Sequence, residues 1–99
     1  MTILSPADCT TMFEVRAGVD HVDRQLVALL GERFGYMDAA ARIKTERGAV
    51  RDEARKRQVI DQARSAAERA GVPDALVADL WERLVEASIA HELAVFDAR

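Results

Sequence analysis

A long apolar repeat without any proline dominates the first half of the chain. No proline occurs between Thr11 and Val72, and the repeat returns every three or four positions at Met12, Val15, Val19, Val22, Leu26 and Leu29, then at Tyr36, Ala40 and Ile43. This spacing places the apolar side chains along one face of a helix. Glu14, three residues after Thr11, completes the pattern of a capping box, which marks a helix start. The sequence therefore predicts a first helix from about Thr11 to about Thr45.

This first helix is longer than the domain that the chain can form. It would span about 52 Å, whereas a compact domain of 99 residues has a diameter of about 35 Å. The protruding half carries apolar side chains that need cover, and a second copy of the chain is the simplest source. A domain of this size also has a marginal core without a partner. We therefore expect a homodimer.

Two further helices complete the predicted architecture. Asp52 is suited to cap a second helix, which ends at Gly71 in the position typical of a C-terminal glycine. Pro73 and Asp74 open a third helix that continues to about Phe96. The loop between the first two helices covers residues 47–51. With only five Gly and two Pro, the composition favours helices over a β-sandwich. We expect an all-α fold of three helices in a single domain, residues 1–99.

Several classes of function are disfavoured. The formal net charge of −3 is not that of a general nucleic-acid binder. Cys9 is the sole cysteine, so no intrachain disulfide can form, and no Cys or His residues have metal-ligand spacing. His21 and His91 are expected to be surface or packing residues. No stretch approaches the ~20 apolar residues of a membrane span, and the first residues do not resemble a signal peptide. We expect a cytoplasmic protein that uses no metal and does not contact a membrane.

Polar residues occupy positions where both helical patterns call for apolar ones. Arg33 lies on the stripe of the first helix, with Lys44 eleven residues on in almost the same direction. Ser88 and Glu92, one turn apart, continue an apolar face of the third helix. Each has a structural alternative: a seam arginine paired with an acid of the partner for Arg33, a solvated lysine for Lys44, a tight helix crossing for Ser88 and a salt bridge for Glu92. The functional interpretation is a polar ligand pocket.

Cations are concentrated between residues 42 and 57, with seven Lys or Arg against three acids. Such a run is usually a solvated face, and it could also bind phosphates. Arg55, however, falls on the first turn of the second helix, beside free backbone N–H groups that favour anions. Its guanidinium fork matches carboxylates in two-point contacts. This arrangement favours a compact site for a small dicarboxylate.

Taken together, these residues resemble the all-helical class of chorismate mutases and the related isochorismate pyruvate lyases. The resemblance covers nearly the whole chain and rests on Arg16-x3-Asp20-x2-Asp23, Arg33, Ala41-Arg42-Ile43-Lys44, Val50-Arg51-Asp52 with Arg55, and Ser88 with Glu92. It implies an intertwined homodimer in which each active site takes one arginine from the other subunit. Helix geometry is consistent with this sharing. Arg16 lies about 25 Å from Arg33 and about 42 Å from Lys44 along one helix, so it cannot reach their site within its own chain. An antiparallel partner could supply it.

The resemblance also implies a role for each site residue. Arg16 of the partner, Arg33 and Arg55 would hold the two substrate carboxylates, and Ser88 would add a further contact. Lys44 would donate to a carboxylate and to the ether oxygen of the breaking bond. The backbone amide of Asp52 would contact the ring hydroxyl. The implied reaction is the cofactor-free rearrangement of chorismate to prephenate in aromatic amino acid biosynthesis (the shikimate pathway), driven by substrate orientation and charge stabilisation.

Two positions depart from the usual mutase pattern. Glu92 replaces a Gln that faces the ether oxygen, and it would have to be protonated to donate a hydrogen bond there. Lys56 replaces a Glu that binds the ring hydroxyl, which leaves the ring substituent of the substrate open.

Two alternatives to a mutase follow. Lys56 and the opening Pro6-x-x-Cys9 favour an isochorismate pyruvate lyase, which forms salicylate, whereas Val50-Arg51-Asp52 and Ser88 favour a mutase. A non-catalytic helical dimer with a regulatory role is the other alternative, and it would leave Arg33, Ser88 and Glu92 unexplained.

Overall fold

The computed structural model describes residues 2–99, and three α-helices account for most of them. Helix α1 is Met12–Ile43, α2 is Glu53–Ala70 and α3 is Asp74–Ala98. Short 3₁₀ turns occur at Pro6–Asp8 and Arg47–Ala49, and no strand occurs among the described residues. The predicted all-α class with three helices is confirmed, and α1 lies within two residues of its expected limits.

Local sequence signals account for the helix ends. Glu14 Oε1 accepts the Thr11 N–H at 3.0 Å while Thr11 Oγ1 accepts the Glu14 N–H at 3.2 Å, which is the capping box expected from the sequence. Hydrogen bonds from the Thr10 and Thr11 backbone and hydroxyl groups lower the pKa of Glu14. Asp52 caps α2 by accepting the Arg55 N–H at 3.0 Å. Gly71 ends α2 with a φ of 73°, a conformation that suits glycine.

The chain divides into two compact units, and the boundary falls inside α1. The first unit ends at Gly35, and the second is Tyr36–Arg99. In the first unit, residues 3–9 lie beside the beginning of α1 and enclose a cavity of about 340 Å³ with Val15, Val19 and Val22. No described residue of the first unit is buried. The expectation of a single domain over residues 1–99 stays a prediction.

The second unit contains the apolar core. Helices α2 and α3 pack against each other. Val50, from the segment before α2, is buried with Val85 and Ile89 of α3. Partly buried apolar side chains surround this cluster: Val59, Ile60, Trp81 and Leu93. Val59 and Ile60 of α2 therefore pack toward Val85 and Ile89 of α3. No helix among residues 2–99 combines the length and apolar character that a membrane span requires.

Candidate functional site

An ion pair joins the end of α1 to α3. Lys44 directly follows the last residue of α1, and its Nζ lies 2.7 Å from Oε2 of Glu92. The Glu92 side chain is 5% exposed and that of Lys44 is 30% exposed. A carboxylate this deeply buried is rare without a partner. The structure thus brings together two residues singled out in the sequence, and it favours the salt bridge considered for Glu92.

The face of α3 that carries Glu92 is polar at one further position. Ser88 and Glu92 are the buried polar residues among positions 2–99, at 3% and 4% exposure. Ser88 Oγ donates to the Leu84 carbonyl at 2.7 Å, one turn back along the helix. Val85 and Ile89 of the same helix belong to the apolar core. Two polar side chains therefore extend a face that otherwise packs against apolar neighbours, as the sequence pattern indicated.

The first turn of α2 carries the predicted Asp52 and Arg55. Asp52 Oδ1 takes the Arg55 N–H, and the Asp52 carbonyl accepts the Lys56 N–H at 2.9 Å. The Arg55 side chain is exposed, and its Nη1 donates to Gln58 Oε1 at 2.7 Å. Because a neutral amide is its partner, the guanidinium keeps its charge uncompensated by this contact. A cation beside a helix N-terminus is suited to bind an anion.

Lys56 points to two acids of α3. Its Nζ lies 2.6 Å from Glu82 Oε1 and 3.0 Å from Glu86 Oε2, and its side chain is 16% exposed. Hydrogen bonds to Glu82 and then to Glu86 raise the pKa of Lys56. Arg51 contacts Glu86 with two nitrogens at 2.8 and 3.0 Å, and Glu53 at 2.9 Å. In this structure Lys56 therefore forms ion pairs with carboxylates of its own chain.

Glu86 is the centre of this network. Hydrogen bonds from Arg51 and then from Lys56 lower its pKa from 4.5 to about 2. The hydrogen bonds that Arg51 donates to Glu86, and then to Glu53, raise the pKa of Arg51. The network ties the residues on both sides of the Asp52 cap to α3, so it holds the beginning of α2 in place.

The remaining predicted residues, Arg16 and Arg33, belong to the first unit. Arg16 is exposed on α1 and lines a surface cavity of about 650 Å³, which Phe13, Asp20 and Arg24 also border. Arg33 is half-buried on α1. Each lies on the helix that the sequence predicted for it.

The sequence patterns missed several contacts of the second unit. Glu82 and Glu86 lie on α3 at ordinary polar positions, so only the packing of α2 on α3 reveals that Lys56 joins them. His91 was expected to be a surface or packing residue, and its Nε2 lies 2.6 Å from Asp38 Oδ1. The sequence separation of two residues on different helices does not indicate whether their side chains are in contact.

The chemistry available here is electrostatic. The second unit offers the ammonium of Lys44 and the guanidinium of Arg55 for anions, while the Ser88 hydroxyl donates its proton to the Leu84 carbonyl. Among the described residues, no three His, Cys, Asp or Glu side chains are grouped so that they could hold a metal ion. Fixed cations can orient an anionic ligand and stabilise negative charge that develops on it.

The chain is similar to known proteins along most of its length. The family model described as chorismate mutase type II matches residues 15–93. The chain is also 28% identical over 89 residues to the isochorismate pyruvate lyase of Pseudomonas aeruginosa, across 90% of this chain and 88% of that protein. The matched residues include every candidate site residue from Arg16 to Glu92.

Proposed function

Since this chain belongs to the chorismate mutase type II family, whose members act on chorismate-like substrates, we propose that it rearranges chorismate to prephenate. The observation that carries the proposal is the position of the Lys44 ammonium, 2.7 Å from the buried Glu92. Glu92 lies one turn from the buried Ser88 on the same face of α3. A buried polar face with an ammonium at its edge fits a small anionic ligand better than it fits a purely structural contact.

The proposed mechanism uses charge and orientation. The substrate is a flexible dianion, and its rearrangement needs its two reacting ends to lie together. Arg33, Arg55 and the Arg16 of a second copy hold the two carboxylates, and Ser88 adds a hydrogen bond. Restricting the substrate to its reactive shape lowers the entropy cost of reaction. Lys44 donates to the ether oxygen, where negative charge grows as the carbon–oxygen bond breaks.

Glu92 has a dual effect in this proposal. Its contact with Lys44, at 2.7 Å, fixes the ammonium. A carboxylate at this place opposes the negative charge that grows on the ether oxygen. Glu92 therefore positions Lys44 at a cost to transition-state stabilisation.

A homodimer is part of the proposal, because the first unit lacks cover for its apolar face. Val22 is 50% exposed, Leu26 54% and Leu29 60%. Full burial of a fully exposed apolar side chain of this size contributes about 1.5–3 kcal/mol, so each of these partly exposed side chains forgoes a fraction of that. A second copy that covers this stripe also supplies Arg16 to the site of its partner. Exposed Arg16 and exposed apolar neighbours on α1 support both parts of this arrangement.

A second candidate function is that of an isochorismate pyruvate lyase. The similarity to the Pseudomonas aeruginosa lyase favours it. Lys56 favours it as well: where many mutases offer a carboxylate to the ring hydroxyl, this chain has an ammonium that Glu82 and Glu86 hold. Asp52, which caps α2, and the buried Ser88 favour the mutase, which stays the first proposal.

One experiment separates these proposals. The purified chain is incubated separately with chorismate and with isochorismate, and prephenate, salicylate and pyruvate are quantified. We expect prephenate from chorismate at a rate well above that from isochorismate. Lys44→Ala should lower this rate about 10²–10³-fold, the usual cost of removing one transition-state donor. Salicylate and pyruvate without prephenate would establish the lyase.

Turnover of neither substrate would favour the non-catalytic dimer. In that case the thermal midpoint, measured with and without chorismate, decides whether the cationic site exists, because a ligand that binds only the folded chain raises the midpoint.

A further inference from the structure

Arg99, the residue that directly follows α3, contacts the end of α1. The final carbonyl groups of a helix have no partners within the helix. At the end of α1, Arg99 Nη1 donates to the Ala41 carbonyl at 2.9 Å and to the Lys44 carbonyl at 2.6 Å. The Arg99 guanidinium also lies over the Phe96 ring, 3.7 Å from its centroid. A cation here is favoured by the negative end of the helix dipole.

A second contact ties the same part of α3 to the loop after α1. Arg47 Nε and Nη2 donate to the two oxygens of Asp97 at 2.9 and 3.1 Å. This pair lowers the pKa of Asp97 and raises that of Arg47, mainly through the hydrogen bonds. We call Arg47, Asp97 and Arg99 the clamp. Asp97 and Arg99 lie beyond residues 15–93, so the family match does not include this feature.

The clamp has a direct consequence for Lys44. Lys44 stands just after the last residue of α1, and helix ends fray readily. Glu92 holds its ammonium at 2.7 Å, and Arg99 holds its carbonyl at 2.6 Å. Lys44 is therefore fixed at its side chain by Glu92 of α3 and at its backbone by Arg99, the residue that directly follows α3.

We propose that Arg99 is a positioning residue for Lys44 in the reaction proposed above, on which this inference rests. By satisfying the Ala41 and Lys44 carbonyls it sets the backbone from which the Lys44 side chain extends. A lysine has four rotatable side-chain bonds, so a change in its backbone is magnified at the ammonium. Misplacement of a reacting group by about 1 Å can cost about 10²-fold in rate.

The competing explanation is that Arg99 merely docks α3 on the rest of the chain. The clamp itself supplies the matched control. Arg47 and Asp97 join the same segments, with side chains 60% and 50% exposed, and their contact does not include Lys44. A docking role predicts similar losses from Arg47→Ala and Arg99→Ala, whereas a positioning role predicts a loss from Arg99→Ala alone.

The test compares kcat and KM for chorismate in the wild type, Arg99→Ala, Arg99→Lys and Arg47→Ala, with Arg83→Ala as a surface control. Arg83 is 81% exposed, and its Nε lies 4.0 Å from Asp79 Oδ1. We expect Arg99→Ala to lower kcat about 10- to 100-fold with KM within about threefold of the wild type. Arg99→Lys should recover much of kcat, because an ammonium can donate to both carbonyls. Arg47→Ala and Arg83→Ala should stay within about twofold of the wild type.

Amide hydrogen exchange supplies a readout that does not depend on activity. The Lys44 N–H donates to the Ala40 carbonyl at 2.9 Å, and its exchange reports how firmly the end of α1 is held. We expect faster exchange at Lys44 in Arg99→Ala, no such change in Arg47→Ala, and wild-type exchange within α2 in both.

Three results would overturn the inference: kcat of Arg99→Ala within about twofold of an active wild type, equal losses of kcat in Arg47→Ala and Arg99→Ala, or no gain on going from Arg99→Ala to Arg99→Lys. If the wild type converts neither chorismate nor isochorismate, the proposed function fails by itself. Exchange at Lys44 then still decides whether Arg99 holds that backbone, and unchanged exchange would refute it.

Discussion

The two units of this chain differ in how they satisfy their apolar residues. In the second unit, Tyr36–Arg99, the core of Val50, Val85 and Ile89 is buried within the unit, and ion pairs connect its helices. In the first unit, which ends at Gly35, every described residue is at least partly exposed, including the whole stripe of α1. The same helical spacing of apolar residues predicts the helices of both units.

This difference shows that amphipathic periodicity predicts a helix but not the surface that covers it. The stripe of α1 is regular enough to be recognised in the sequence, yet the described residues of its own unit do not bury it. The exposed side chains are the ones that a second copy would cover in the proposed dimer. In the proposed dimer the first unit would depend on association, whereas the core of the second unit is buried by contacts within the chain.

The largest effect should come from a charge in the middle of the uncovered stripe. Leu26→Glu places a carboxylate where the proposed dimer buries an apolar side chain, and burying an unpaired charge costs several kcal/mol. Because α1 lacks other cover, we expect loss of the dimer together with the helical signal that residues 12–35 of α1 contribute. Sedimentation and circular dichroism measure the two properties.

The control is Ala28→Glu, which adds the same charge to an exposed position about 140° around α1 from the stripe. It should remain dimeric and helical. If Leu26→Glu yields a folded, helical monomer, the first unit does not need a second copy, and the contrast between the units fails.

The residues that could be predicted from sequence are those with local signals. The capping box at Thr11 and Glu14, the Asp52 cap and Gly71 each depend on neighbours within four residues, so the sequence contains the whole interaction. Glu92 and Ser88 could be predicted because a polar residue on an apolar face stands out.

The contacts between helices could not be predicted in this way. Lys56 meets its partners, and Arg99 its two carbonyls, because of the way the helices are oriented against one another. The spacing of apolar residues along one sequence does not indicate that orientation. The cover proposed for the first unit is a stronger case, since a second copy of the chain would have to supply it.

The next largest effect is expected at Glu92, in the unit that packs on its own. Glu92→Ala removes the partner of Lys44 and should lower kcat/KM for chorismate about 10²–10³-fold. Glu92→Gln keeps the shape, accepts from Lys44 through its amide oxygen and donates through its amide nitrogen. Without the negative charge it should equal or exceed the wild type near neutral pH. Steady-state kinetics on folded, dimeric protein provides the comparison.

A Gln variant as inactive as the Ala variant would show that the charge of Glu92 is itself required. Glu92 would then act solely by holding Lys44, and donation to the ether oxygen would be ruled out.

A smaller effect, on stability, should come from Glu86 in the second unit. Its pKa is lowered from 4.5 to about 2 in the folded chain, so as pH falls the unfolded chain takes up the proton first. The stabilisation is therefore complete above pH 4.5 and disappears as pH falls toward 2. Glu86→Gln should be less stable than the wild type near neutral pH, with a difference that shrinks across this acid range.

Urea midpoints at several pH values and one fixed protein concentration measure this difference. Glu68→Gln is the control, because Glu68 is exposed on α2 and has no ion pair within residues 2–99. A gap between wild type and Glu86→Gln that stays constant from neutral pH to pH 2 would mean that Arg51 and Lys56 do not stabilise the folded chain through Glu86.

The proposed active site takes Lys44 and Arg33 from one copy and Arg16 from the other, and mixing two defective chains tests this sharing directly. Arg16→Ala and Arg33→Ala homodimers should each be nearly inactive, since every site lacks one carboxylate contact. In a mixed dimer one site collects both defects and the other collects neither. Activity should then recover to about half of the wild type per mixed dimer. If subunit exchange is verified by mass spectrometry of differently tagged chains and no activity returns, Arg16 does not serve the other copy, and the shared site is wrong.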